Sequence, residues 1–432
     1  MTYKSPKYRE PKNPVGNVAE LFAGVGGFRI GLAEAGWKTT FSNQYEPATP
    51  SKQHASDVYI ANFAKYDLAG AHVNKNIEDV NALPKNIDLL VGGFPCQDYS
   101  VAKTSNSALG LEGKKGVLWW EILRLIKNMD KKKRPRFVFL ENVDRLLKSP
   151  SKQRGRDFAI MLKTLGEAGY LIEWRAVNAA EYGFAQRRIR VFIVARLIEK
   201  LPKGFQFDAV KQIYKDGILA RSLPIEQSLE EPKPVHLSES ADLISETFNS
   251  GGGKSLFENT GVYYRNTAYT VRTKAVKAKR PATLGDVILE DNDVPKEYWI
   301  SKDRLPEWEY LKGAKSIERV HKASGTAYNY AEGKMAYPDL LTNPSRTILT
   351  GEGGTSPSRF KHIIKTKKGF RRLTPVELER LNGFPDDWTK FDSNGKQVSD
   401  VRRAFFMGNA LVIGLIERVG HVLALEAKDL PR

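Results

Sequence analysis

The chain has 432 residues, 41% of them hydrophobic, with 68 Lys and Arg against 50 Asp and Glu and a net charge of +18. That length allows two domains or one large domain with an insertion, and that charge points to a polyanionic partner, nucleic acid first. One cysteine excludes an internal disulfide and a multi-cysteine zinc site, six histidines show no metal-ligand spacing, and no apolar run is long enough to span a bilayer.

Residues 1–14 are basic, polar and proline-containing, the composition of a loose tail and not of a secretory leader, so the cytoplasm is the expected compartment. Residues 17–22 read as a strand. The glycine-rich turn Ala23-Gly24-Val25-Gly26-Gly27 follows, then helical spacing over 28–35. Such a unit opens a nucleotide-binding α/β fold, because glycine lets the backbone approach a ligand and the helix start offers free N–H groups. A plain tight connection would look the same. A second strand spans 39–42 and ends at Asn43-Gln44-Tyr45-Glu46. At that point a doubly wound fold holds a ribose, and Tyr45 could lie on an adenine; a solvated loop is the alternative. Asn76-Ile77 precedes another loop and is a third candidate contact.

The largely apolar run 87–91 reads as a buried strand ended by Gly92-Gly93, with Pro95 stiffening the turn. Cys96 stands next, at the carboxyl end of a parallel strand, where open α/β sheets place their ligands. Its thiolate would be a strong nucleophile there, although a lone cysteine can also be a small buried hydrophobe. Polar Gln97, Asp98 and Ser100 favour an exposed loop. Residues 102–116 have a loop composition, 117–128 have helical spacing, and 131–136 form a basic turn. The strand 137–140 ends at Glu141-Asn142-Val143. A carboxylate there is costly to bury without a partner or a role, and a salt-bridged surface Glu is the alternative. A helix over 155–168, a strand over 170–177 and a strand over 191–195 follow. Arg188 and Arg190, two apart, face one side if the chain is extended.

From about 201 the strand–helix alternation is lost. Short β-like runs at 263–264 and 268–271 mix with glycine, proline and the basic run Arg272, Lys274, Lys277, Lys279, Arg280. A second, smaller, loop-rich β domain is expected here. A helix is expected over 375–381, with Thr374 as cap and Pro375 at its start, and a long amphipathic helix over 406–428.

Six motifs in this order, AELFAGVGGFRIGL, GGFPCQDYS, FLENV, EYGFAQRRIRVFIVA, RRLTPVELERLNGFP and FMGNALV, resemble the DNA cytosine-5 methyltransferase family of bacterial restriction–modification systems. The resemblance spans nearly the whole chain and is weakest over 201–360. It implies a doubly wound, Rossmann-like S-adenosylmethionine-dependent domain over 1–200, completed by 405–432, and a target-recognition domain over 201–404. It implies that Phe22, Gly24, Gly26, Gln44, Tyr45, Glu46, Asn76, Ile77, Pro95, Leu118, Asn409, Ala410 and Leu411 line the cofactor pocket. Gln44 and Asn76 are neutral where the family usually has acids, which brings Glu46 forward as the ribose contact, and Glu20 stands where Asp is usual. Catalysis is implied for Cys96, Glu141 and Arg188. DNA contact is implied for Gln97, Ser100, Arg190 and Thr347, and the charge adds Lys274, Lys277 and Lys279, with Lys361, Lys365, Lys367 and Lys368 beside them. Residues 97–116 would be a lid.

The partner expected is double-stranded DNA, bound by a monomer with no membrane and no metal, alongside a restriction endonuclease of the same specificity. The alternatives are a transfer-RNA cytosine-5 methyltransferase, a catalytically inactive DNA-binding relative and a small-molecule methyltransferase. The long divergent segment, the intact catalytic set and the charge argue against them in turn.

Overall fold

The structure is a computed structural model that describes residues 3–94, 118–320 and 325–429. Its first half alternates strand and helix: β1 (Asn17–Leu21), α1 (Gly27–Glu34), β2 (Lys38–Asn43), α2 (His54–Phe63), β3 (His72–Val73), β4 (Leu89–Gly93), α3 (Leu118–Lys127), β5 (Phe137–Val143), α4 (Arg156–Glu167), β6 (Tyr170–Asn178) and β7 (Ile189–Leu197). These strands assemble in the order β3-β2-β1-β4-β5-β7-β6, parallel from β3 to β5, with β7 antiparallel between β5 and β6. This is the doubly wound sheet expected. Alternate residues of its central strands serve opposite faces. Val18, Leu89, Val91, Phe137 and Phe139 pack toward α1. Ala19, Leu21, Leu90, Val138 and Leu140 pack toward α3 and α4.

The expected boundary at 201 falls ahead of further sheet. After the short helices α5 (Ala209–Lys211) and α6 (Ile218–Ser222) come β8 (Lys233–His236), α7 (Ala241–Thr247), β9 (Thr260–Tyr264) and β10 (Thr267–Val271). β9 pairs with β6, β10 with β9 and β8 with β10, so residues up to 271 continue the large sheet. The β9–β10 hairpin turns on Arg265 and Asn266, both at positive φ (46° and 68°), the geometry that matches strand twist in two-residue loops. Beyond it lie α8 (Leu305–Lys312) and two small hairpins, β11 (Lys315–Val320) with β12 (Ala327–Glu332) and β13 (Ile363–Lys365) with β14 (Phe370–Arg372).

α9 (Pro375–Asn382) starts where the sequence places it. Thr374 and Glu377 form a reciprocal capping box, and Glu377 also takes a two-pronged, fully buried ion pair from Arg371. The long carboxyl-terminal helix is instead two helices, α10 (Asp400–Asn409) and α11 (Ile413–Asp429). Ala410 is extended (ψ 164°), which breaks the helix ladder. α11 closes the α1 face of the sheet, where Trp37 Nε1 donates to the Gly420 carbonyl (3.0 Å).

The amino-terminal segment is docked and not loose. The Tyr8 ring lies 4.9 Å from Phe63, the Asp386 N–H donates to Ser5 Oγ (2.8 Å), and Glu10 pairs with buried Arg29 (3.3 Å). Tyrosine, serine and glutamate side chains in a polar stretch thus anchor it to α1, to α2 and to the loop after α9. Among the described residues no helix is long and apolar enough to cross a membrane.

Candidate active site

The parallel strands β1, β2, β4 and β5 all end at one edge of the sheet. β7 runs the other way and therefore begins there. Ligands of open α/β sheets bind at that edge. The register pairs Leu21 with Gly92, Gly93 with Glu141 and Val143 with Arg190, bringing together motifs far apart in the chain.

Glu141 is nearly buried, and Arg190 Nε donates to its Oε1 at 2.8 Å. Because Arg190 sits opposite Val143, two residues along β5, the contact is a cross-strand diagonal on one face. The two arginines separate at this point. Arg188 precedes the first residue of β7 and turns inward. It donates to the carbonyls of Ile348 (3.3 Å) and Gly408 (3.0 Å) and is 2% exposed. Burial, aided by the charge of Arg190, pushes its guanidinium down to about 9, with Glu141 opposing. The arginine beside the carboxylate is therefore Arg190, which the motif reading gave to DNA, and Arg188 is bonded to backbone.

Asn142 Nδ2 donates to the Phe94 carbonyl (3.1 Å), while its Oδ1 accepts from the Val143 N–H (2.8 Å). This side chain, not singled out in the sequence, ties the end of β4 to β5 beside Glu141. Pro95, Cys96, Gln97, Ser100 and the expected lid over 97–116 lie outside the described residues.

On the cofactor side, Phe22 and Gly24 both have positive φ (53° and 55°), and a side chain on Gly24 would meet nothing within 4 Å. The turn is open above its glycine. Gly26, at φ 89°, caps α1. Gln44 is committed here: its Oε1 accepts from the Gly24 N–H (2.8 Å). Glu46 is also partly committed, its Oε2 accepting from the Ala55 N–H at the start of α2 (2.8 Å). Tyr45, between them, is partly buried. Asn76 opens the short turn that carries Ile77, which is 2% exposed. Arg124 of α3 holds that turn by donating to the carbonyls of Ile77 (3.2 Å) and Val80 (2.8 Å). Leu118 is the first residue of α3 and is partly buried. Asn409, Ala410 and Leu411 lie at the break between α10 and α11, with Asn409 exposed and Leu411 joining Val25 and Phe28 in one apolar cluster.

An open glycine turn and apolar Ile77 and Leu411 fit an adenosine-bearing cofactor. Glu20 lies inside the sheet. Burial pushes its carboxyl up to about 7, and it accepts from the Tyr59 hydroxyl (3.1 Å) and the Arg29 N–H (3.4 Å). The Glu-for-Asp difference thus falls on support of α1.

Residues 345–348 lie along the Gln186-Arg187-Arg188 run. The Arg187 N–H donates to the Ser345 carbonyl (2.8 Å), Thr347 Oγ1 to the Arg187 carbonyl (2.7 Å) and the Ile348 N–H to Gln186 Oε1 (3.1 Å). β10 ends at the same sheet edge, and the basic run continues along it, the Ala278 N–H donating to the Glu181 carbonyl (2.9 Å). Lys274, Lys277 and Lys279 are exposed there, whereas Arg272 pairs with Glu258 (3.0 Å). Lys361 leaves the expected basic surface: it is 5% exposed and donates to the carbonyls of Gly354 (3.0 Å) and Ser356 (2.6 Å). Among the described residues no group of three or more His, Cys, Asp or Glu side chains is placed to hold a metal ion.

The profile of the C-5 cytosine-specific DNA methylase family matches residues 16–424. The type II methyltransferase M.Sau3AI of Staphylococcus aureus is 42% identical over 420 residues, covering 94% of both chains. The type II methyltransferase M.NgoBI of Neisseria gonorrhoeae is 35% identical over 410 residues, covering 94% of this chain and 92% of its own. The crystal structure of the S. pombe Dnmt2 methyltransferase shares the fold, with a TM-score of 0.55 at 14% identity over 96% of this chain and 99% of that one. On the family match and these identities, this chain belongs to the C-5 cytosine-specific DNA methylase family and is a DNA cytosine-5 methyltransferase.

Proposed function

We propose that the enzyme methylates C5 of a flipped-out cytosine within one short duplex sequence, through a covalent bond between Cys96 and C6, and so protects DNA from a restriction endonuclease of the same specificity. The observation that carries this reading is the Glu141–Arg190 pair at the sheet edge, beside the bond from Asn142 to Phe94, which is two residues before Cys96 in the sequence.

Cytosine C5 is a poor nucleophile. Addition of the Cys96 thiolate to C6 makes C5 enamine-like and able to attack an electrophilic carbon. The ring accepts those electrons only if N3 is protonated or strongly hydrogen-bonded, the role given to Glu141. Arg190, held on the same carboxylate, is placed to polarise the ring at O2. When bound, S-adenosylmethionine supplies an electrophilic methyl group on a sulfonium centre. Phe22, Gly24, Gly26, Ile77, Leu118 and Asn409 to Leu411 would hold it. Gln44 supports the turn through its Oε1 and Asn76 donates through Nδ2 to Glu78 (3.3 Å), so the Asn76 Oδ1, Tyr45 and the remaining oxygen of Glu46 are left for the nucleoside. After methyl transfer a base takes the C5 proton, the C5–C6 double bond re-forms and Cys96 leaves as the thiolate. The target must leave the duplex to reach these groups. Mapping 5-methylcytosine in DNA treated with the enzyme tests the specificity. One short sequence at every modified site supports the reading, and scattered modification contradicts it.

The exposed lysines of the basic run are assigned to phosphates. Replacing Lys274, Lys277 and Lys279 with Gln together is expected to weaken target and non-target DNA alike. It should flatten the plot of log affinity against log salt by roughly 0.9 for each phosphate no longer neutralised. S-adenosylmethionine affinity should be unchanged. Titrations at several salt concentrations check this, and a wild-type slope in the triple variant would remove these lysines from the footprint.

A further inference from the structure

Arg188 is a buried cation that, among the described residues, has no carboxylate hydrogen-bonded to it. Its two bonds go to the carbonyls of Ile348 and Gly408, and its Nε has no hydrogen-bond partner among those residues. Burying an unpaired guanidinium is expensive, and an apolar side chain would fill the space at lower cost. What the cation achieves is a joint. Ile348 follows Thr347, on the side assigned to DNA. Gly408 precedes Asn409, on the side assigned to the cofactor.

Two further contacts lie on the same seam. Gln186 accepts the Ile348 N–H (3.1 Å) and donates through Nε2 to Asn382 Oδ1 (2.9 Å), and Asn382 donates to the Met407 carbonyl (2.9 Å). At Gly408 the two backbones meet directly: a Cβ there would stand 2.4 Å from the Thr350 nitrogen and 2.6 Å from the Leu349 carbonyl carbon. Segment 347–350 and the end of α10 therefore cannot shift independently without breaking bonds of Arg188 or Gln186. From Gly408 the chain reaches Leu411, packed in one cluster with Val25 of the glycine turn.

We infer that Arg188 is a positioning residue that locks the DNA-side segment 347–350 to the cofactor-side end of α10, so that each ligand tightens the other. The inference rests on the proposed placement of DNA at Thr347 and of cofactor at 409–411. By linkage the coupling is reciprocal and lies within roughly 5–150-fold. The test measures affinity for S-adenosylhomocysteine, which cannot react, with and without a target duplex. Wild type, Arg188→Lys and Gly408→Ala are compared; the last pushes the seam apart without touching Arg188. The wild type should bind S-adenosylhomocysteine more tightly with DNA present. Both variants should keep each single-ligand affinity within about threefold while that ratio falls toward one.

A wild-type ratio of one, or variants that keep the wild-type ratio, would overturn the inference. So would an Arg188→Lys enzyme whose kcat collapses at an unchanged ratio, since that marks contact with the base. Failure of the underlying reading is seen separately, as absence of methyl transfer to duplex DNA by the wild type.

Discussion

Replacing Cys96 with Ser is expected to abolish turnover, by about four orders of magnitude or more, while leaving DNA affinity close to that of wild type. A hydroxyl at that position is far less nucleophilic and far less ionised than a thiol, so addition to C6 stops. Everything that binds the duplex stays in place. A second observation separates nucleophile from bystander. With 5-fluorocytosine at the target, C5 holds fluorine where a proton should leave, and the enzyme should stay covalently attached. Denaturing gels should show that adduct for wild type and not for Cys96→Ser. Full activity of the variant, or an undiminished adduct, would remove Cys96 from the mechanism.

Glu141→Gln is expected to slow methylation by about 10²–10⁴-fold, the range for loss of a general acid. The amide can still hydrogen-bond but cannot deliver a proton to N3. It also replaces the carboxyl group that accepts from Arg190 Nε at 2.8 Å, so the position of Arg190 is disturbed with it. Because neither belongs to the cofactor turn, S-adenosylmethionine affinity should be unchanged and the loss should fall on kcat. A near-normal rate would make the carboxylate a structural partner of Arg190 and nothing more.

The central sheet and its site edge were legible because β1, β4 and β5 are short, largely apolar and lead into glycine or polar residues. Thr374 and Pro375 announced α9 through local chemistry. What escaped depends on distant partners. β8 to β10 join the large sheet through pairing of β9 with β6, about 90 residues earlier in the chain, and short alternating strands carry no mark of their neighbour. The break after Asn409 is hidden because the apolar spacing continues through Ala410, Leu411 and Val412 into α11. The docking of residues 3–10 depends on aromatic and charged contacts to α1 and α2 that polar composition does not reveal. Most instructive are Arg188 and Arg190. Their spacing of two puts both on one face only if both are extended, and β7 begins at Ile189, between them. One arginine therefore meets the carboxylate and the other leaves the strand. Gln44 shows the same limit: an amide at the end of β2 suits a ribose or a backbone turn, and its carbonyl oxygen has taken Gly24.

The most direct measurement is transfer of a radioactive methyl group from S-adenosylmethionine to duplex DNA, single-stranded DNA and transfer RNA in parallel, followed by identification of the labelled base. Label is expected on duplex DNA, recovered as 5-methylcytosine, with little on transfer RNA. Label confined to transfer RNA, or to any base other than cytosine, would contradict it.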